Sequence, residues 1–169
     1  MTAMHTGSVA VVTGGARGIG LGCAMSLAAK GFNLALVDVL EDELEEATAK
    51  LRATGVQAES FVADVSDFAR AAEIAGDILE RFEALGVLVN NTGIGSAKGL
   101  LEISEAEWNR TIDVNLKGCF NWSEGSRSID AGERLGSDRQ HRRVQRWYGQ
   151  QARLRGFEGG DTRHDALAC

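Results

Sequence analysis

The sequence predicts an α/β fold, a parallel β-sheet with helices packed on both faces. Short apolar runs rich in β-branched residues alternate with helical stretches from Ser8 to about Glu124. Such alternation builds a parallel sheet joined by right-handed crossovers. The first run also ends in glycines at positions 14, 15, 18 and 20, where a strand must turn abruptly into a helix.

Each element carries its own signature. Residues 8–13 (SVAVVT) read as a buried strand. From Gly18 to about Lys30, apolar residues recur at Ile19, Leu21, Cys23, Leu27 and Ala28, and Gly31 stops the helix. Residues 33–39 (NLALVDV) give a second strand, and residues 41–53 an acidic amphipathic helix closed by Gly55. Residues 57–62 form a third, weaker strand. Asp67 is placed to cap a helix reaching about Phe82. Residues 86–90 (GVLVN) are the fourth strand. Ser104 and Glu107 have capping-box spacing ahead of a helix carrying Trp108, Ile112, Leu116 and Phe120. Beyond about Glu124 no period of 2 or 3.6 is sustained, and the chain shows no internal repeat.

Composition divides the chain at the same place. Residues 1–125 hold nine Lys and Arg against eighteen Asp and Glu, whereas residues 126–169 hold nine Arg against six acids, with no lysine after Lys117. Proline is absent throughout, where about 5% is usual. The sequence therefore predicts an α/β domain over 1–125 and an aberrant, irregular tail over 126–169. No apolar run reaches membrane length, and the opening MTAMHTGSVAVVTGG lacks a long apolar signal core, so a cytoplasmic protein without membrane contact is expected. Cys23, Cys119 and Cys169 are odd in number and widely spaced, which predicts free thiols and no metal site.

The chemistry concentrates at strand ends. In residues 13–20 (TGGARGIG) a turn poor in Cβ atoms lets a diphosphate approach the backbone, and the helix N-terminus offers free N–H groups and partial positive charge. Gly14, Arg17, Gly18, Ile19 and Gly20 are the candidate contacts; an ordinary glycine-rich turn is the alternative. Asp38 closes the second strand 18 residues after Gly20. There a carboxylate can accept from both ribose hydroxyls of an adenosine and repel a 2′-phosphate, favouring NAD over NADP; an acidic helix cap would place the same residue. Arg17 pulls weakly toward NADP. Asp64 and Val65 follow the third strand, and Asn90, Asn91, Thr92 and Gly93 the fourth. Polar groups there can hold adenine and the middle of a dinucleotide, though an Asx turn or a helix cap would also use them.

Together with residues 113–118 (DVNLKG), these motifs resemble the short-chain dehydrogenases/reductases, in order and at the family's spacing. Thr92 departs from the family's usual alanine. The resemblance implies a Rossmann-type sheet in three α/β/α layers, here incomplete after the fourth strand and the following helix. It also implies NAD(P)-dependent interconversion of an alcohol and a ketone, a small-molecule substrate, and a homodimer or homotetramer. By position, Asn115 is the family's catalytic asparagine, which holds a water in a proton relay.

The resemblance breaks in the tail. The family's acid/base centre is a serine followed by Tyr-x-x-x-Lys. Here Tyr148, the only tyrosine, has Ala152 four residues on. Positioned proton transfer is worth about 10²–10⁴-fold, so the chain as written is expected to be inactive or impaired. Read one nucleotide further on, however, the codons of residues 138–162 can yield TASIAGYSGGMGSKPGYGASKAGI. That string supplies a serine and then Y-G-A-S-K. The tyrosine straddles Leu154 and Arg155, the lysine Glu158 and Gly159. A frameshift between about Arg134 and Asp138 is the reading that follows. Sugar alcohols, steroids and 3-oxoacyl thioesters all stay open as substrates. The alternative is a non-catalytic dinucleotide-binding module with a basic tail. A nucleic-acid arm is disfavoured because Asp138, Glu158, Asp161 and Asp165 interrupt the arginines.

Overall fold

The computed structural model describes residues 7–133, apart from 83 and 100. Most of them lie in one compact unit, Met1–Asp130; the second unit, Ala131–Cys169, falls almost wholly outside the described residues. The elements in chain order are β1 (Ser8–Thr13), α1 (Gly18–Ala28), β2 (Asn33–Asp38), α2 (Glu41–Arg52), β3 (Ala58–Val62), α3 (Phe68–Arg81), β4 (Ala84–Val89) and α4 (Glu105–Ile112). A π-helical turn, Asp113–Lys117, then joins α4 to α5 (Gly118–Glu133). The strands pair in parallel in the order β3-β2-β1-β4, so the chain reverses its direction of travel across the sheet after β3. This is the expected Rossmann-type sheet, ending at the fourth strand among the described residues. No helix among them is long and apolar enough to cross a membrane.

The two-residue period of a strand explains the layers. Along β1, Ala10 and Val12 face one side with Leu34 and Leu36 of β2, and meet Ala24 and Ala28 of α1 and Leu44, Ala47 and Leu51 of α2. Val9 and Val11 face the other side with Ala35 and Val37, and meet Ile74, Ala75 and Ile78 of α3 together with Val114 and Trp122. Both faces of the two central strands are thus buried, which is why β1 and β2 read as continuous apolar runs. Asp67 caps α3 as expected, its Oδ1 accepting from Arg70 N–H at 3.0 Å.

Several expectations shift. Strand β4 begins two residues before Gly86, with an irregular pairing between Val9 and Ala10 of β1. The apolar stripe read for the helix after Ser104 points outward: Trp108, Ile112, Leu116 and Phe120 are all exposed. The π turn inserts a residue into the helical period, and Val114 and Trp122 make the inward face. In α1 the buried positions are Gly20, Ala24 and Ala28, while Ile19 is exposed. Close helix–sheet packing selects small residues there, and the larger side chains are displaced outward. Helix α5 continues to Glu133, past the point near Glu124 where periodicity fails. The rest of the expected tail lies outside the described residues.

Candidate functional site

The site grows from the carboxyl ends of β1, β2 and β4. At the turn after β1, Gly14 N–H donates to Val37 O at 2.7 Å and Gly15 N–H to the same oxygen at 3.2 Å, fastening the turn to β2. Arg17 then takes an extended backbone and Gly18 a left-handed one at φ +57°. That conformation needs glycine, although nothing would crowd a Cβ there. Gly20 is needed for the opposite reason, since a Cβ on it would lie 2.0 Å from Gly14 O. Helix α1 therefore starts flush against the turn. Arg17, its N-cap residue, contributes no side-chain cap, leaving the first-turn N–H groups open to an anion.

Asp38 faces this turn. Its Oδ2 accepts from Ala16 N–H at 3.1 Å, and its Oδ1 from Val39 N–H at 2.8 Å and Leu40 N–H at 3.3 Å. The carboxylate is held between the glycine turn and the start of α2, whose N-cap is Leu40. Asp38 therefore does not itself cap α2; it bridges two loops.

Asp64 sits at the end of β3 in an Asx-type turn, its Oδ1 accepting from Ser66 N–H at 2.9 Å and Ser66 Oγ–H at 2.6 Å. Arg110 of α4 donates from Nη2 to Asp64 Oδ2 at 2.7 Å and from Nη1 to Ser66 Oγ at 3.1 Å. Burial by itself raises the Asp64 carboxyl, but the Ser66 and Arg110 hydrogen bonds outweigh it and hold the pKa at about 2. Val65 is buried, with its side chain under Gly118 and its carbonyl accepting from Asn121 Nδ2 at 2.9 Å. Only its backbone can face a ligand.

After β4 the chain is laced back onto β1. Thr13 Oγ1 donates to Val89 O at 3.3 Å and accepts from Asn91 N–H at 3.1 Å. Asn91 Nδ2 donates to Thr13 O and Gly14 O, each at 3.1 Å. The Asn91 side chain is thus committed to holding the glycine turn, and Asn90 Nδ2 donates to Ser123 Oγ at 3.3 Å. Gly93 lies beside Asn115, within 3.6 Å of its Oδ1 from an ideal Cβ. In the π turn, Asn115 Oδ1 accepts from Ile94 N–H and its Nδ2 donates to Ile94 O, both at 2.8 Å. A side-chain amide reproduces a strand pair, fixing the 90–94 loop against the helix, while Cys119 Sγ–H reaches Asn115 O at 3.1 Å.

Gly14, Arg17, Gly18, Ile19, Gly20, Asp38, Asn91, Gly93 and Asn115 thus form one connected rim, and Asp64 with Arg110 forms its flank. The sequence reading missed the Thr13 hydroxyl as the hub of the β1–β4 tie, and Arg110 and Ser66 as partners of Asp64. Only knowledge of which elements adjoin could have supplied Thr13 and Arg110; Ser66, two residues from Asp64, was within reach of the Asx turn. Thr92 Oγ1 is buried without a hydrogen-bond partner among the described residues. Away from Asp38, an apolar trough of about 520 Å³ runs between α1 and β4, lined by Ile19, Cys23, Leu27, Val87 and Val89.

A family model described as short chain dehydrogenase matches residues 8–129. A 2,3-dihydro-2,3-dihydroxybenzoate dehydrogenase of Bacillus subtilis (strain 168) is 37% identical over 131 residues, covering 78% of this chain and 50% of the relative. Among solved structures, an alcohol dehydrogenase from the archaeon Thermococcus sibiricus complexed with 5-hydroxy-NADP aligns with a TM-score of 0.69 at 37% identity, covering 72% of this chain and 52% of that one. A short-chain dehydrogenase/reductase from Burkholderia phymatum in complex with NAD aligns with a TM-score of 0.70 at 34% identity, covering 73% and 44%. The chain spans about half the length of the curated relatives it matches. The match runs from the first residue of β1 through the glycine turn, Asp38 and Asn115, and on that match this chain belongs to the short-chain dehydrogenase family of oxidoreductases.

Proposed function

We propose that this chain is the nucleotide-binding part of an NAD(H)-dependent oxidoreductase that interconverts an alcohol and a ketone. The observation that carries the proposal is the open N-terminus of α1, with the Asp38 carboxylate fastened across from it to Ala16 N–H. The residues fit a dinucleotide: Gly20 lets α1 start against the Gly14 carbonyl, which a Cβ would strike, the open N–H groups suit a diphosphate, and a carboxylate at the second strand's end suits ribose hydroxyls. Bound there, the cofactor supplies hydride chemistry. The chain's own residues bind and orient: Asp64 and the Val65 backbone toward adenine, Asn90 and Gly93 along the middle, and Asn115 at the far end. The side-chain amide of Asn115 is occupied by Ile94, so we assign the water to its backbone carbonyl, which also accepts from Cys119 Sγ–H.

The proton-transfer half does not fit. Neither Tyr148 nor any lysine after Lys117 supplies Tyr-x-x-x-Lys, so this chain binds a cofactor without useful turnover. We read residues beyond about 134–138 as translated out of frame. Nucleotide sequencing tests this: the Leu154 codon ends in A and Glu158 is GAA if the shifted frame encodes Y-G-A-S-K. Restoring that frame should bring turnover of an alcohol or ketone with NAD(H). Binding without turnover after restoration would instead favour the non-catalytic module, which the missing acid/base pair otherwise also permits. The outward stripe of Trp108, Ile112, Leu116 and Phe120 is the surface on which we place self-association.

A further inference from the structure

This inference rests on the proposed nicotinamide-dinucleotide site and concerns how it chooses between NAD(H) and NADP(H). Arg17 lies one residue beyond Ala16, whose N–H is held by Asp38, and it is the cation nearest that carboxylate along the turn. It does not turn toward Asp38. Its Nη1 lies 4.0 Å from Glu43 Oε1, and the two side chains are 73% and 48% exposed. Glu43 stands in the first turn of α2 beside Glu41 and Asp42, directly after the strand that Asp38 closes.

A 2′-phosphate brings nearly two negative charges at neutral pH, and it binds where a cation can leave its existing partner to meet it. At this rim the existing partner is Glu43. We propose that Glu43 is a specificity-determining residue, a latch that holds Arg17 away from the ribose pocket and so disfavours a 2′-phosphorylated dinucleotide. Asp38 repels the phosphate directly; Glu43 removes the group that would compensate. Exposed pairs of this kind add little to folding stability, so the latch can be cut without unfolding the chain.

The test titrates the full chain with NADH and with NADPH by fluorescence, and adds displacement by adenosine 2′,5′-bisphosphate as a readout independent of hydride transfer. Glu43→Gln should tighten NADPH and the bisphosphate about three- to fivefold at low salt while leaving NADH within about twofold. Glu46→Gln removes the same charge from a neighbouring residue paired with Lys50, and should leave the NADH-to-NADPH ratio unchanged. In an Arg17→Ala background the gain from Glu43→Gln should vanish. The latch is overturned by an unchanged ratio in Glu43→Gln, by an equal shift in Glu46→Gln, or by a gain that persists without Arg17. Failure of the unaltered chain to bind either nucleotide would instead remove the underlying site, and the latch with it.

Discussion

Asp38 carries more of the site than any other side chain, because one carboxylate serves three backbone N–H groups across two loops. Charge-assisted hydrogen bonds of this kind contribute about 1.5–3 kcal/mol each. Asp38→Asn keeps the shape and removes the charge, so NADH affinity should fall about tenfold to a hundredfold in a fluorescence titration, with a smaller loss of thermal stability. Asp64 makes a separate, pH-dependent prediction. Its folded pKa, about 2, lies below the 3.8 of an ordinary aspartate. The stability it contributes is therefore present above about pH 4 and is lost as pH falls through 2. Arg110→Ala should lower the urea midpoint by a constant amount above about pH 5, and that difference should shrink between pH 4 and 2. A difference independent of pH would show that Arg110 acts through packing alone.

The element on which the proposed function rests is the β1–turn–α1 unit. Its steric margin is small: any side chain at Gly20 meets the carbonyl of Gly14. Gly20→Ala should cost about 1–3 kcal/mol or more in urea unfolding, and should weaken nucleotide binding beyond what its stability loss explains. At the start of α4, Ser104 accepts from Glu107 N–H while Glu107 accepts from Ser104 N–H. Lys98 and then Ser104 hold the exposed Glu107 carboxyl down at about 2. Ser104→Ala should cost about 1 kcal/mol. These local devices were legible in sequence because each is written in residues three to six apart. The strands were legible too, since β1 and β2 are buried on both faces and read as unbroken apolar runs. Which way the stripe of α4 and α5 faces was not legible, because a helix that leaves large residues exposed looks the same in sequence as one that buries them. The Asp64–Arg110 and Thr13–Asn91 contacts were not legible, being 46 and 78 residues apart.

Across the whole molecule, two apolar layers flank a four-stranded sheet whose fourth strand pairs only with β1 among the described residues. Residues of β4 are half-buried where those of β1 and β2 are fully buried. The trough beside it and the stripe on α4 and α5 leave further apolar surface exposed. Edges and patches of this kind drive association. The full chain should therefore show concentration-dependent self-association in sedimentation velocity, and a sharp, reversible melt as a monomer would contradict that. The residues matched by the family model, 8–129, hold the glycine turn and Asp38, so the binding proposed for them can be measured apart from turnover. The most direct measurement is an NADH titration of the frame-restored protein beside its Asp38→Asn variant. We predict saturable binding that weakens at least about tenfold in the variant. A folded, frame-restored protein that binds neither NADH nor NADPH would contradict the assignment of the α1 N-terminus as a dinucleotide site.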